Sequence, residues 1–254
     1  MPPQRGVDPA PRALPVGLHR LPPPLAGLQL QKFVMMAKME RKQCCLIVFA
    51  KAPIAGEVKT RLVPSLGASR AAALHEALVL HCLSTAVAPG MGSVELWCAP
   101  SVDHPFFEEC AREFPVTLHQ QTDGNVGRRM AHALQETLKN SFYVLLMGTD
   151  CPSLTGSDLK DGLSFLRGGS DAVFSPAEDG GYVLIGLRRY APELFAGISW
   201  GTGSVMDQTR VRLRQLGWRW RELATRWDVD RPEDVERLRL EGYTTRLFPR
   251  RSNS

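Results

Sequence analysis

No run of apolar residues in this 254-residue sequence approaches the roughly 18–20 needed to cross a bilayer, so stable membrane insertion is not expected. Aromatics are scarce, at 7 %, and no Lys/Arg patch is interleaved with them, which argues against a nucleic-acid surface. Charge of one sign does not dominate either; the formal net charge is +5, with much of the excess near the two ends. The cysteines Cys44, Cys45, Cys82, Cys98, Cys110 and Cys151 show no Cys-x-x-Cys spacing and no His-x-x-x-His companion, which speaks against zinc. Several lie in apolar runs, where buried free thiols are usual, and a reducing cytoplasm is the expected compartment. Two phosphate-binding signatures are absent as well: the Gly-Lys-Ser/Thr of a P-loop and the dinucleotide fingerprint.

What is present centres on Cys45 to Leu62, CLIVFAKAPIAGEVKTRL. Leu46 to Ala50 is an apolar run of strand length. Pro53 and Gly56 break it, and Lys51, Lys59 and Arg61 surround the break. A strand that opens into a Gly/Pro loop carrying cations offers backbone N–H groups and charge-assisted donors to a phosphate. A strand followed by a solvated basic turn accounts for the same letters.

Residues 1–42 read as a Pro-rich tail, or as an extension ahead of a true start at Met35, Met36 or Met39; serine is absent from it. Residues 43–243 read as one domain, and 244–254 as a basic C-terminal tail. Helices are expected over Ser69–Val87, about His104–Arg112, Gly127–Lys139, from a Ser157 cap to Leu166, over Thr202–Leu216 and over Pro232–Glu241. Strands are expected at Val94–Ala99, Val116–Gln120, Tyr143–Met147, Asp171–Ser175 and Tyr182–Leu187, with Trp218–Leu223 extended. Strands alternating with helices predict an α/β fold with a mostly parallel central sheet and helices on both faces.

Asp150 follows the apolar strand Tyr143–Met147, at the strand end where open α/β sheets place ligands. A carboxylate there can bind Mg²⁺ bridging to a diphosphate, since Mg²⁺ needs only one or two protein carboxylates; it can equally cap its own loop. Asp228 and Asp230 end an extended segment before Pro232, where alternation points both to one face; an acidic helix start explains them too. Glu178-Asp179-Gly180-Gly181 offers carboxylates and a close backbone approach for an acceptor hydroxyl, or a plain hairpin turn. Trp200 has the choice of covering a sugar or base face or of lying in the core. The histidines, His75 among them, carry no assigned role.

Phe49-Ala50-Lys51-Ala52-Pro53 with Gly56, Lys59, Thr60 and Arg61, then Gly148-Thr149-Asp150-Cys151-Pro152, then Asp179-Gly180-Gly181-Tyr182, then Asp228-Val229-Asp230-Arg231-Pro232-Glu233-Asp234 stand in that order. Together with Gly127-Arg128-Arg129-Met130 and Trp200-Gly201-Thr202 they resemble a bacterial family of GT-A-type glycosyltransferases of unknown function, some named arsenosugar biosynthesis glycosyltransferases. That family resembles a branch of the nucleotide-diphospho-sugar transferase superfamily, which also holds 2-phospholactate guanylyltransferase and the molybdenum-cofactor nucleotidyltransferases. The resemblance implies a Rossmann-like GT-A fold whose nucleotide is held by Ala50, Lys51, Pro53, Gly56, Lys59, Arg61 and Gly127. It implies Mg²⁺ or Mn²⁺ on Asp150 and Asp230, catalytic roles for Asp150, Asp179 and Lys59, and acceptor contacts from Glu178, Gly180, Gly181 and Trp200. The acidic motif is Gly-Thr-Asp rather than Asp-x-Asp, and Arg231 stands where related nucleotidyltransferases have Thr. The activity implied is sugar transfer from a nucleotide-diphosphate donor to a small-molecule acceptor. The alternatives are nucleotidyl transfer from a nucleoside triphosphate to a phosphorylated acceptor, and nucleotide binding without turnover; a homodimer is compatible with each.

Overall fold

The computed structural model describes residues 42–243, so all of the Pro-rich tail but Lys42, and the basic C-terminal tail, lie outside the described residues. The strands are β1 (Lys42–Lys51), β2 (Ser93–Ala99), β3 (Val116–Gln120), β4 (Ser141–Gly148), β5 (Ala172–Pro176), β6 (Tyr182–Leu187) and β7 (Trp220–Glu222). They form one seven-stranded sheet in the order β3-β2-β1-β4-β6-β5-β7. The helices are α1 (Ala68–Val87), α2 (Pro105–Glu113), α3 (Val126–Asn140), α4 (Gly156–Arg167), α5 (Val205–Gln215) and α6 (Pro232–Leu240), with short helical turns at Thr60–Leu62, Val63–Leu66 and Pro192–Leu194.

The α/β expectation holds, with one reversal. β3, β2, β1 and β4 run parallel, β6 runs against both β4 and β5, and β7 is parallel to β5. The short loop between β5 and β6 enforces this, because a parallel partner needs a crossover of about a dozen residues or more.

The apolar runs of β1 and β4 serve both faces of the sheet. Leu46, Val48, Leu145 and Met147 join a core with Leu83, Phe107 and Leu163 from α1, α2 and α4. Ile47, Val144 and Leu146 point the other way, to Met130, Leu134 and Leu213 from α3 and α5. A strand buried on both faces must be apolar throughout, which is why these two read as continuous runs. A third, smaller core joins Leu62, Leu74 and Leu78 to Trp227, Val229 and Leu238. It clamps the basic loop and the Asp228–Asp230 segment onto α1.

Several boundaries differ from the sequence expectation. β1 begins at Lys42, inside the expected tail. The cap of α4 is Thr155, not Ser157: Thr155 Oγ1 accepts the Asp158 N–H at 3.2 Å, and the Asp158 carboxylate accepts the Thr155 N–H at 2.8 Å. α5 starts at Val205 rather than Thr202, with Ser204 as its N-cap at φ −107° and ψ 3°. Asp228 and Asp230 lie outside the named strands, yet buried Trp227 and Val229 alternate with them, so both carboxylates do face away from the core.

Candidate functional site

β1 pairs with β2 and β4 so that Phe49 is level with Trp97 and Gly148. The loops leaving these strands therefore open at one end of the sheet. The β1 loop folds back there because Gly56 takes φ +86° and Lys59 takes φ 49°. Lys59 is the only non-glycine residue with positive φ among the described residues. Such a conformation is costly for a residue with a Cβ and clusters at functional sites.

The side chain of Lys59 is 4 % exposed. Its ammonium donates to Asp150 Oδ1 and, at 2.5 Å, to the Val229 carbonyl. The Val229 N–H in turn donates to the Asp150 carbonyl at 2.8 Å. One buried cation thus ties the β1 loop, the end of β4 and the Asp228–Asp230 segment together. Desolvation in the cleft opposes ionisation of Asp150, and Lys59 more than offsets it, holding the carboxyl below the usual range. Arg61 pairs with Asp230 more openly, with side chains 67 % and 40 % exposed.

Lys51, Lys59, Arg61, His75, Asp150 and Asp230 line a cavity of about 470 Å³. A second cavity of about 320 Å³ shares Lys51, Gln121 and Arg129 with it and extends to Pro100, Thr122 and Asp123. Arg129 donates to Gln121 Oε1 at 3.2 Å, while Gln121 Nε2 donates to the carbonyls of Trp97 at 2.7 Å and Ala50 at 3.2 Å. On the opposite flank Glu178, Asp179, Thr202, Asp228, Asp230 and Asp234 border a third cavity of about 400 Å³. Asp228 also meets Asp150 in the wall of a smaller apolar pocket beside Tyr182 and Met130. Burial, then the neighbouring charges of Asp179 and Asp150, push the Asp228 carboxyl up to about 6.

Most residues expected at the site converge here. Ala50, Lys51, Lys59, Arg61, Asp150 and Asp230 share one cavity, and Glu178 and Asp179 border the next. Other expected residues have packing roles. A Cβ on Gly127 would lie 2.0 Å from the indole of Trp200, so each residue's identity follows from the other's without a ligand. A Cβ on Gly180 would meet the Gly203 carbonyl at 2.0 Å; the glycine permits two loops to touch. Asp179 Oδ1 accepts the Gly181 N–H at 2.9 Å within the β5–β6 turn. Glu178 is held by Arg237 at 2.9 Å. Pro53 and Gly56 shape the loop.

Sequence reasoning missed His75, Gln121 and Arg129. His75 falls on the same helical stripe as Ala71, Leu74 and Leu78, where a core role hides a site role. It is 5 % exposed, its Nε2 lies 3.0 Å from the Lys51 carbonyl, and its Nδ1 lies 3.9 Å from Asp150 Oδ1. Burial lowers its pKa, which favours the neutral ring. Among the described residues no cluster of three or more His, Cys, Asp or Glu side chains is arranged for a metal ion, and no helix is long and apolar enough to cross a membrane.

The architecture is that of the nucleotide-diphospho-sugar transferase fold. It recurs in 4-diphosphocytidyl-2C-methyl-D-erythritol synthase from Anaerococcus prevotii DSM 20548, at TM-score 0.55 and 11 % identity over 80 % of this chain and 99 % of that one. CMP:2-keto-3-deoxy-manno-octonic acid synthetase complexed with CTP shares it at TM-score 0.50 and 12 % identity, over 80 % and 99 %. Residues 82–202 match the family described as "Uncharacterized protein conserved in bacteria (DUF2064)". A "putative nucleotide-diphospho-sugar transferase" from Desulfovibrio desulfuricans G20 is 31 % identical, at TM-score 0.72, over 83 % of this chain and 91 % of its own. At that identity and coverage the chain belongs to one family with the Desulfovibrio protein, within the nucleotide-diphospho-sugar transferase superfamily. No curated protein matches the sequence.

Proposed function

We propose that this transferase binds the diphosphate of a nucleotide sugar in the basic cavity and delivers the sugar to a small-molecule acceptor from the acidic flank. The observation that carries the reading is the buried, left-handed Lys59 beside Asp150, in a cavity also lined by Lys51, Arg61 and Arg129. The four cations outnumber the carboxylates of that cavity, Glu57, Asp150 and Asp230, and are well placed to receive a phosphate. Lys59 and Arg61 exchange their carboxylate partners for phosphate oxygens, and the nucleoside extends toward the cavity walled by Gln121, Thr122 and Asp123.

Asp150 and Asp230, released from their pairs, would hold Mg²⁺ or Mn²⁺. A divalent cation bound there neutralises charge on the leaving diphosphate. The acceptor hydroxyl approaches past Asp179 and Asp228. With its carboxyl pushed up to about 6, Asp228 can take that proton near neutral pH.

Nucleotidyl transfer uses the same cavity, and the number of cations around it favours a triphosphate as readily as a diphosphate. A thermal-shift panel with divalent metal separates the readings, because a ligand selective for the folded state raises the melting temperature. Nucleotide sugars should stabilise the protein most. Stabilisation by nucleoside triphosphates alone would replace sugar transfer with nucleotidyl transfer, and no shift by either would remove the binding site from this cavity.

A further inference from the structure

His75 carries an atom that the account so far leaves idle. Its Nε2 lies 3.0 Å from the carbonyl of Lys51, and a carbonyl can only accept, so Nε2 bears the proton. In the neutral ring that leaves Nδ1 as a bare lone pair. Nδ1 is buried and has no hydrogen-bond partner among the described residues. Leaving a buried polar atom unsatisfied is costly. The lone pair looks toward Asp150, 3.9 Å from Oδ1, beside the ammonium that Asp150 and the Val229 carbonyl already hold.

A carboxylate oxygen and a backbone carbonyl oxygen thus hold the resident ammonium, and an imidazole nitrogen lies 3.9 Å from that same carboxylate oxygen. The lone pair of Nδ1 cannot satisfy another acceptor; it requires a hydrogen-bond donor or a metal ion. When a phosphate draws Lys59 away, the place it vacates has the donor set of a mixed nitrogen–oxygen cation site. Imidazole favours first-row transition ions, whereas Mg²⁺ prefers an all-oxygen shell.

We propose that His75 Nδ1 is a ligand of the divalent cation at Asp150, giving the site a preference for Mn²⁺ over Mg²⁺; this rests on the diphosphate-binding reading above. The tether from Nε2 to the Lys51 carbonyl fixes the ring, as the second hydrogen bond of a metal-bound histidine generally does. The tether also couples the cation to the end of β1, where the phosphate-binding loop begins.

The test is pulsed electron paramagnetic resonance on the full chain loaded with Mn²⁺ and inorganic pyrophosphate. A directly bound imidazole gives a nitrogen modulation that changes when the histidines carry ¹⁵N. The modulation should be present in the wild type and lost in both His75→Ala and His75→Gln, while Asp150→Asn loses bound Mn²⁺ itself. Mg²⁺ should displace Mn²⁺ more readily from His75→Gln than from the wild type. Circular dichroism identifies a variant that fails to fold, and the ¹⁵N comparison in the wild type needs no variant. Mn²⁺ bound through Asp150 without nitrogen modulation would overturn the role of His75 and leave the diphosphate site standing. Pyrophosphate binding without any bound Mn²⁺ would overturn the cation site altogether. No binding of either would overturn the underlying reading with it.

Discussion

The two flanks of the site are opposites in charge and in construction. The basic flank comes from one stretch, the β1 loop, with Arg129 added from α3; its central cation is buried and its backbone conformation is costly. The acidic flank is assembled from the β5–β6 turn and the segment before α6, and its carboxylates are mostly solvated or paired with arginine. A fixed basic wall suits a ligand part common to many donors, the phosphates. An open acidic wall suits the part that differs, the acceptor.

If that contrast is right, substitutions on the basic flank should act on ligand binding far more than their counterparts opposite. The largest effect is expected from Lys59→Ala, which should lower nucleotide affinity on the order of 100-fold, the loss of a desolvated charged partner. Lys59→Gly should bind equally poorly yet melt higher, because glycine relieves the left-handed strain, worth about 1 kcal/mol. Equal melting temperatures for the two variants would remove strain from the account.

Next in size is the packing between the flanks. Gly127→Ala forces a methyl group into the Trp200 indole and should cost about 1–3 kcal/mol of stability by denaturant titration. Adding Trp200→Ala should recover part of that loss. If Gly127→Ala were neutral, Trp200 would be free to move and its role as a stacking surface would return.

A smaller, pH-dependent effect is expected at Asp228. Its carboxyl is raised to about 6 in the folded protein against an ordinary value near 4, so ionising it destabilises the fold. Below about pH 4 the group is protonated in both folded and unfolded chains and contributes no penalty. The penalty grows as pH rises from about 4 to about 6 and is complete above that. In metal-free protein Asp228→Asn should therefore melt higher than the wild type at pH 8, with the gap closing toward pH 4. A gap of the same size at both pH values would contradict the raised carboxyl. The smallest effect belongs to Arg61→Ala, whose exposed pair should contribute less than about 1 kcal/mol to stability while ligand binding becomes less sensitive to salt.

Much of the fold was legible in the sequence, because β1 and β4 are apolar throughout and Pro and Gly punctuate the rest. The reversal of β6 was not, since an Asp-Gly-Gly turn marks a hairpin without saying which neighbour β6 joins. On the basic flank the sequence placed Lys51, Lys59, Arg61 and Asp150 together, as strand ends dictate. It could not tell that Gly127 and Trp200 answer each other, because their contact crosses 73 residues of chain. His75 was hidden for a different reason. Helical periodicity assigns it to the buried face of α1, and only the fold brings that face against Asp150.

The central claim is that Lys59 leaves Asp150 for a nucleotide phosphate. Isothermal titration of wild-type and Lys59→Ala protein, with the nucleotide that stabilises the fold most and its metal, tests it directly. Saturable binding to the wild type and a loss on the order of 100-fold in the variant are expected. Equal affinity for the two proteins would contradict it and leave Lys59 only a structural tie between the β1 loop, the end of β4 and the Asp228–Asp230 segment.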